Sequence, residues 1–221
     1  MTIQKIEVNI ANSGHITNTY IVYDDTNIGI VIDPGDEFEK IKSKIDEFSL
    51  SIKYIVITHA HFDHINALNE LVEYTKATVI LNKEDAQMLF GDIDNASQMF
   101  GLEKKSVDKK VVTLVEDGEE IQVGNTNFKL IHTPGHTAGA MIIFVPDEKV
   151  AFTGDTLFSN AYGRCDLLTA DFNKMVGSLR KIFSTLPSDV VIYPGHGESS
   201  TILKSQKYIS LLLAMKGIKL K

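Results

Sequence analysis

The sequence predicts an α/β (α+β) fold in which two β-sheets pack face to face and helices cover their outer faces. Two observations carry this prediction. Each half of the chain opens with short β-rich segments bounded by turn residues, and each half also contains segments with the apolar spacing of an amphipathic helix. The halves share this order without forming a strict repeat. Since no low-complexity linker separates them, we expect one domain over residues 1–221.

The composition limits the classes of protein to which this chain can belong. The chain has 221 residues, of which 43% are hydrophobic and 23% charged, as in ordinary globular proteins with a substantial core. The net charge of −7 argues against a nucleic-acid or anionic-membrane partner. The single cysteine, Cys165, leaves no intrachain disulfide and no cysteine-based zinc site. Without a signal-like or membrane-spanning apolar run, the expected location is the cytoplasm.

The first half is predicted as strands followed by alternating helices and strands. The helix over 37–49 rests on Phe38, Ile41, Ile45 and Phe48, which fall on one helical face. The segment Asp33-Pro34-Gly35 ends the third strand as a turn. The predicted strands are 3–10, 19–23, 28–32, 54–57 and 78–81, and the predicted helices are 37–49, 65–74 and 83–90.

The second half follows an irregular segment over 91–110, which is either a mobile lid or a plain surface connection. For Phe90, Met99 and Phe100 we expect packing under that loop, with a lid or a homodimer contact as alternatives. The predicted strands are 111–115, 120–123, 128–131, 140–145, 149–152 and 190–193, and the predicted helices are 171–184 and 199–216.

A cluster of metal-binding residue types follows the strand over 54–57. Within the run 58–64 lie His59, His61, Asp63 and His64, in the pattern H-x-H-x-D-H. Imidazole nitrogens and a carboxylate oxygen are ligands for first-row metal ions. The run therefore predicts a metal site at the end of a strand.

Three later segments supply further donors of the same kind. His136, Asp155 and His196 each stand in a glycine- or proline-marked turn directly after a predicted strand. The ends of neighbouring strands lie side by side, so these turns can converge with the first cluster. Seven donors exceed the need of one four-coordinate ion and suit two ions with a shared ligand. Only a carboxylate can bridge two ions, which nominates Asp155 or Asp63.

These motifs together resemble the metallo-β-lactamase superfamily, a group of hydrolases with a four-layer αββα sandwich. The segments Asp33-Pro34-Gly35, 133–137 and 154–158 look like its glyoxalase II (hydroxyacylglutathione hydrolase) branch. The resemblance implies two divalent ions, with zinc expected and iron or manganese as alternatives. It assigns His59, His61 and His136 to the first ion, Asp63, His64 and His196 to the second, and Asp155 to both.

The resemblance also implies a reaction. A metal-bridged hydroxide would cleave a small-molecule thioester or ester, with Asp63 orienting or accepting a proton from the nucleophile. The alternative is a persulfide dioxygenase that holds one iron through His59, His136 and Asp155. The sequence leaves both reactions open.

Departures from the glyoxalase II pattern concern the substrate. The C-terminal helical extension that helps that branch bind glutathione has no counterpart here, as in the shorter single-domain relatives. The segment Gly163-Arg164-Cys165-Asp166 replaces the branch's glycine-lysine-x-tyrosine substrate segment. Arg164 is a candidate to bind a substrate carboxylate, although Asp166 is near enough to pair with it instead.

Two histidines and the cysteine stand outside the ligand pattern. For His132 we expect a supporting or core position, and for His15 a loop position near the mouth of the site. Nucleophilic catalysis by Cys165 is not expected, because no neighbouring histidine in the sequence would activate it.

Overall fold

The computed structural model describes residues 1–220, and its first sheet contains six strands in chain order. Strands β1 to β3 are antiparallel neighbours, whereas β3 to β6 run parallel. The parallel strands are rich in Ile and Val, as expected of strands that are buried on both faces. The strands are β1 (Thr2–Ile10), β2 (His15–Tyr23), β3 (Ile28–Ile32), β4 (Ser51–Ile57), β5 (Thr78–Asn82) and β6 (Val112–Val115).

The second sheet also contains six strands in the order β12-β11-β10-β9-β8-β7. Its neighbours are antiparallel except for β10 and β11, which run parallel. Both sheets are therefore mixed. The strands are β7 (Glu120–Val123), β8 (Thr126–His132), β9 (Met141–Val145), β10 (Val150–Gly154), β11 (Val191–Pro194) and β12 (Ser200–Thr201).

Three hydrophobic clusters hold the layers together. The central cluster joins residues of both sheets, including Tyr20 and Ile32 from the first and Phe128 and Phe152 from the second. One outer cluster packs α1 and α3 on the first sheet, and the other packs α5 and α6 on the second. The helices are α1 (Phe38–Glu47), α2 (Phe62–Ile65), α3 (Leu68–Thr75), α4 (Ala86–Leu89), α5 (Phe172–Thr185) and α6 (Ile202–Ala214). This four-layer αββα arrangement confirms the predicted fold class. Along residues 1–220, none of the helices combines the length and apolar character needed to cross a bilayer.

The predicted helix over 65–74 is two helices, and the break has a clear cause. The backbone N–H groups of Asn66 and Ala67 donate to the carbonyls of Gly35 and Pro34, both at 3.0 Å, instead of to the preceding helical turn. Helix α2 therefore ends at Ile65, before these two residues. It begins at Phe62, inside the histidine run. The turn after β3 is thus tied to the segment that carries the predicted ligands.

Two of the differences at the ends of other predicted elements have a clear cause. Strand β2 begins at His15 rather than at residue 19, because residues His15 to Thr19 pair with β1. The predicted helix over 199–216 begins only at Ile202, since Ser200 and Thr201 form β12 against β11. Thr201 then caps α6 by accepting a hydrogen bond from the backbone N–H of Lys204 at 3.3 Å.

The sheet-to-sheet core predicts a strong dependence on Phe152. Its side chain is fully buried and packs 5.2 Å from the ring of Tyr20 and 5.5 Å from that of Tyr193. Phe152→Ala should lower the free energy of unfolding by about 3–5 kcal/mol in urea titrations. Leu114→Ala, at a side chain 43% exposed, should change it by less than about 0.5 kcal/mol. Equal losses for the two variants would contradict this assignment of the core.

Candidate metal centre

The seven donors named from the sequence converge on one place, together with one residue that the pattern left out. These residues form three groups, and within each group the ligand atoms lie within 4.8 Å of one another. Six of these eight side chains are buried, and those of His15 and His196 are half-buried. The groups are His59 with His61 and His136, His59 with His64 and Asp155, and His15 with Asp63 and His196.

The spacing of the donor atoms matches metal coordination. Ligands placed 2.0–2.1 Å from a tetrahedral ion are separated by about 3.3 Å. His61 Nδ1 lies 3.0 Å from His136 Nε2. On the other side, Asp63 Oδ2 lies 3.3 Å from His196 Nε2 and 3.6 Å from His64 Nε2. Both sets therefore have separations close to those that a shared ion would require.

Asp155 lies between the two sets. Its Oδ2 is 3.5 Å from His136 Nε2 and 3.3 Å from His196 Nε2, and its Oδ1 is 3.5 Å from His64 Nε2. One carboxylate therefore faces donors of both sets. This is the position that a bridging ligand would need.

In three of the histidines, a hydrogen bond from one ring nitrogen determines which nitrogen remains available to a metal ion. The Nδ1–H of His136 donates to the carbonyl of Arg164 at 2.8 Å, and that of His196 donates to the carbonyl of Ile16 at 2.7 Å. The Nδ1–H of His64 donates to Asp33 Oδ2 at 2.9 Å. Because an oxygen acceptor requires the proton at Nδ1, Nε2 is left to face the other donors.

Asp33 orients the histidine run through hydrogen bonds with Thr58 and His64. Its Oδ1 accepts from the backbone N–H of Thr58 at 2.8 Å, and its Oδ2 accepts from the Thr58 hydroxyl at 2.6 Å and from His64. The Thr58 oxygen then lies 3.2 Å from His59 Nδ1 and can accept its proton. Asp33 holds a left-handed backbone (φ 51°), a conformation uncommon for residues other than glycine. The strained turn thus places one carboxylate against His64 directly and against His59 through the Thr58 hydroxyl.

Asp85 connects the loops that carry the first set. It lies directly before α4 and is buried. Its Oδ2 accepts from the backbone N–H of Ala60 at 3.1 Å and from the Thr137 hydroxyl at 2.7 Å, and its Oδ1 accepts from the N–H of Gly139 at 2.7 Å. Ala60 stands between His59 and His61, and Thr137 follows His136. Asp85 therefore fixes the distance between these two loops.

The absence of a side chain at Gly195 provides the space in which the donors meet. A Cβ atom there would overlap Asp155 Oδ1 and lie 2.7 Å from His64 Cε1. Any side chain at this position would displace the Asp155 carboxylate or the His64 imidazole. The glycine before His196 is thus a requirement of the site.

The electrostatics of the first set suit neutral imidazole donors. Burial, reinforced by the surrounding histidines, holds the pKa of His59 well below its usual range. Burial and the neighbouring His136 lower the pKa of His61 to about 3. Both rings are therefore neutral near pH 7, which is the form that binds metal.

The second set forms a region of negative potential. Burial would lower the pKa of His64, but the carboxylates of Asp63, Asp33 and Asp155 raise it to about 9. Asp155 and Asp63 likewise overcome burial and raise the pKa of His196 to about 11. Burial would raise the pKa of Asp63 and of Asp155, yet the adjacent imidazoles hold both well below their usual range. Positive charge is stabilised at this point, whether on a proton or on a metal ion.

Three orphaned atoms indicate that a cation fits. His59 Nε2, His64 Nε2 and Asp155 Oδ1 are buried and have no hydrogen-bond partner. Buried polar atoms are almost always satisfied, so each of these requires a reason. All three belong to the converging set, and their chemistry is that of ligands for divalent transition metals. The residues present therefore fit a metal centre.

The structure places Arg164 beside the pocket in an ion pair. Its Nε and Nη2 donate to Asp166 Oδ1 at 2.7 Å and Oδ2 at 2.9 Å. Its backbone carbonyl accepts the hydrogen bond from the Nδ1–H of His136.

Cys165 is half-buried, and its thiol donates a hydrogen bond to the carbonyl of Gly163. Burial raises the pKa of this thiol to about 11. It is therefore a poor nucleophile near pH 7.

Sequence reasoning missed the contributions of three residues. His15 was expected in a loop, but it begins β2 and its Nε2 lies 3.0 Å from Asp63 Oδ2. The hydroxyl of Thr17 donates to the same oxygen at 3.2 Å. Asp85 carried no motif that could have identified it. His132 lies at the end of β8, where its Nε2 donates to the carbonyl of Ala138 at 2.8 Å.

The fold and the histidine–aspartate cluster together define a class of metal-binding αββα proteins, and comparison with known proteins identifies the family. The profile of the metallo-beta-lactamase superfamily matches residues 13–196. The chain belongs to this superfamily, whose fold binds divalent metal ions.

Individual relatives cover most of the chain. It is 32% identical over 185 residues to hydroxyacylglutathione hydrolase GloC of Haemophilus influenzae, covering 84% of this chain and 87% of that protein. The crystal structure of TTHA1623 in a di-iron-bound form superposes with a TM-score of 0.81 at 31% identity, covering 93% and 98% of the two chains. The BLEG-1 B3 metallo-beta-lactamase gives a TM-score of 0.86 at 28% identity, covering 96% and 99%.

The hydrogen bonds of Asp33 predict a large effect on metal affinity. Asp33→Asn retains the shape but replaces one acceptor oxygen with a donor, which opposes the Nδ1–H of His64. We expect metal affinity to fall about 10- to 100-fold. The measurement is competition with a chromophoric chelator.

Asp36→Asn is the matched control, because Asp36 lies in the same turn and accepts hydrogen bonds from Ala11 and Asn66 rather than from a predicted ligand. It should retain affinity within about threefold. Equal affinities for the two variants would contradict the role given to Asp33.

Proposed function

We propose that this protein is a metal-dependent hydrolase that cleaves small-molecule thioesters or esters. The observation that carries the proposal is the pair of donor sets joined through Asp155. The cluster lines an open pocket together with apolar side chains such as Phe62 and Met99, an arrangement typical of a small-molecule site. The similarity to a hydroxyacylglutathione hydrolase supports a thioester as the bond that is cleaved.

In this proposal two divalent ions are held by the seven predicted donors. His59, His61 and His136 would hold the first, and Asp63, His64 and His196 the second. Asp155 would contribute to both. Zinc is the expected metal, with iron or manganese as alternatives, and the di-iron form of TTHA1623 supports iron as one of these. When bound, the ions would supply an activated water and polarise the acyl carbonyl.

The chain's own groups then have defined roles. Water adds its oxygen to the acyl carbon, the bond to sulfur or oxygen breaks, and the leaving atom takes the bonding electron pair. Asp63 is ionised near pH 7, since its pKa is held low, and serves to orient the water and accept its proton. His15 Nε2 and the Thr17 hydroxyl fix the orientation of that carboxylate.

The leaving group explains why a thioester suits this site. A thiol has a pKa of about 8.5 and departs as a thiolate without a dedicated acid. Asp155, the other carboxyl beside Asp63 in the cluster, also has a pKa held low and is not a proton donor near pH 7. An acyl-thioester is therefore favoured over an amide, whose amine leaves only when protonated.

Replacing one predicted ligand should abolish the activity. His59→Gln removes a buried imidazole of the first set and should lower kcat/KM by about 100-fold or more for thioester hydrolysis. Treatment with a chelator should have the same effect and be reversed by added zinc. The measurement is thiol release from S-lactoylglutathione and from neutral acyl-thioesters.

His132→Gln provides the control, because His132 is a histidine outside the donor cluster and glutamine can still donate to Ala138. Its kcat/KM should stay within about threefold of the original. Equal activity of His59→Gln and the original protein would contradict the proposal. Oxygen consumption with a persulfide by a form holding one iron, without thioester turnover, would favour the dioxygenase alternative.

A further inference from the structure

A groove with an apolar rim adjoins the donor cluster. The pocket that contains His61, Asp155 and His196 is also lined by large apolar side chains. A second depression, with a volume of about 230 Å³, shares four lining residues with it and so extends the groove. The apolar side chains of the groove are Phe62, Ala96, Met99, Phe100, Leu167 and Leu168.

Two separate segments of the chain supply most of these side chains. The turn Ser97–Phe100 carries Met99 and Phe100, which are 60% and 44% exposed. Leu168, which follows the segment 163–166, is 56% exposed. The Phe100 ring packs 4.7 Å from Phe62 and 5.6 Å from His15. Large exposed apolar groups that adjoin a site are typical of a ligand-binding surface.

The charges of the groove are unsuited to an anionic ligand. Apart from the donor cluster, its ionisable side chains are Asp94, Asp166 and Arg164. The Nε and Nη2 donors of the guanidinium are bound by Asp166, so the only arginine that lines the groove within residues 1–220 is already paired. Over the same residues, no lysine lines either depression. Glutathione carries two carboxylates, and outside the donor cluster this groove offers neither of them a lysine or an unpaired arginine.

We propose that this groove binds an uncharged apolar substituent of the substrate, so that the substrate class is neutral aliphatic or aryl thioesters and esters rather than glutathione conjugates. This inference rests on the proposed hydrolytic function. It also gives Arg164 a structural role, in which its carbonyl orients His136 and its side chain pairs with Asp166. The sequence-based assignment of Arg164 to a substrate carboxylate is replaced by this one.

Binding can be tested without turnover. In zinc-loaded protein with ¹³C-methyl-labelled methionine, N-hexylacetamide is an uncharged analogue with an apolar chain. Its titration should shift the methyl resonance of Met99, which Met99→Ala identifies. Met215 is the internal control, because it is 79% exposed but lies at the end of α6 and lines neither depression. S-methylglutathione should leave the Met99 resonance unchanged.

Equal responses of Met99 and Met215 to N-hexylacetamide would overturn the inference, whether or not the protein is an active hydrolase. So would a Met99 shift caused by S-methylglutathione and abolished by Arg164→Gln. Because this readout requires no catalysis, its failure is distinct from a failure of the proposed function.

Kinetics provide the second measurement. Along the acetyl, butanoyl and hexanoyl thioesters of N-acetylcysteamine, kcat/KM should rise by about fourfold for each methylene that is buried. Met99→Ala and Phe100→Ala should flatten this dependence, whereas Leu211→Ala, a comparably exposed substitution on α6, should preserve it. For the lactoyl group, the neutral thioester should exceed the glutathione thioester by about tenfold. A preference for the glutathione thioester that Arg164→Gln removes would contradict the inference.

Discussion

The structure depends on one constraint: five imidazoles and two carboxylates meet in a buried space without enough hydrogen-bond partners for one another. His59 Nε2, His64 Nε2 and Asp155 Oδ1 are left unsatisfied, which is costly in an interior. Divalent ions at this point would satisfy these atoms and neutralise the carboxylates. The free energy of metal binding would then also stabilise the folded state, since the unfolded chain does not assemble the site.

The architecture holds this unfavourable cluster in place through its sheets and its supporting carboxylates. The turns after β4, β8, β10 and β11 carry the donors and bring them together from both sheets. Three of these strands, β4, β10 and β11, have a parallel neighbour, and the carboxyl ends of parallel strands meet at one edge of a sheet. Asp33 ties the turn after β3 to the histidine run, and Asp85 ties that run to the loop of His136. Both carboxylates accept from backbone N–H groups, so the site is fixed by the main chain rather than by flexible side chains.

Much of this could be predicted from the sequence, because periodicity and metal-ligand spacing are local signals. The helix α1, the strands other than β12 and the H-x-H-x-D-H run could be predicted from short windows of sequence. The break between α2 and α3 could not be predicted, since it is caused by the carbonyls of Pro34 and Gly35, which are distant in the chain. The contacts of His15 and Asp85 could not be predicted for the same reason. Their partners, Asp63 and Gly139, are also far away in sequence, and a lone histidine or aspartate has no distinctive pattern.

The groove adds specificity to a cluster whose chemistry is general. Its apolar rim and its paired Arg164 favour neutral substrates, and the Asp94 carboxylate disfavours anionic ones.

The proposed function depends above all on a pair of ions that share Asp155. Elemental analysis of metal-loaded, washed protein tests it most directly. We predict two divalent ions per chain for the original protein and a lower content for Asp155→Asn. One ion per chain in both proteins would contradict the account.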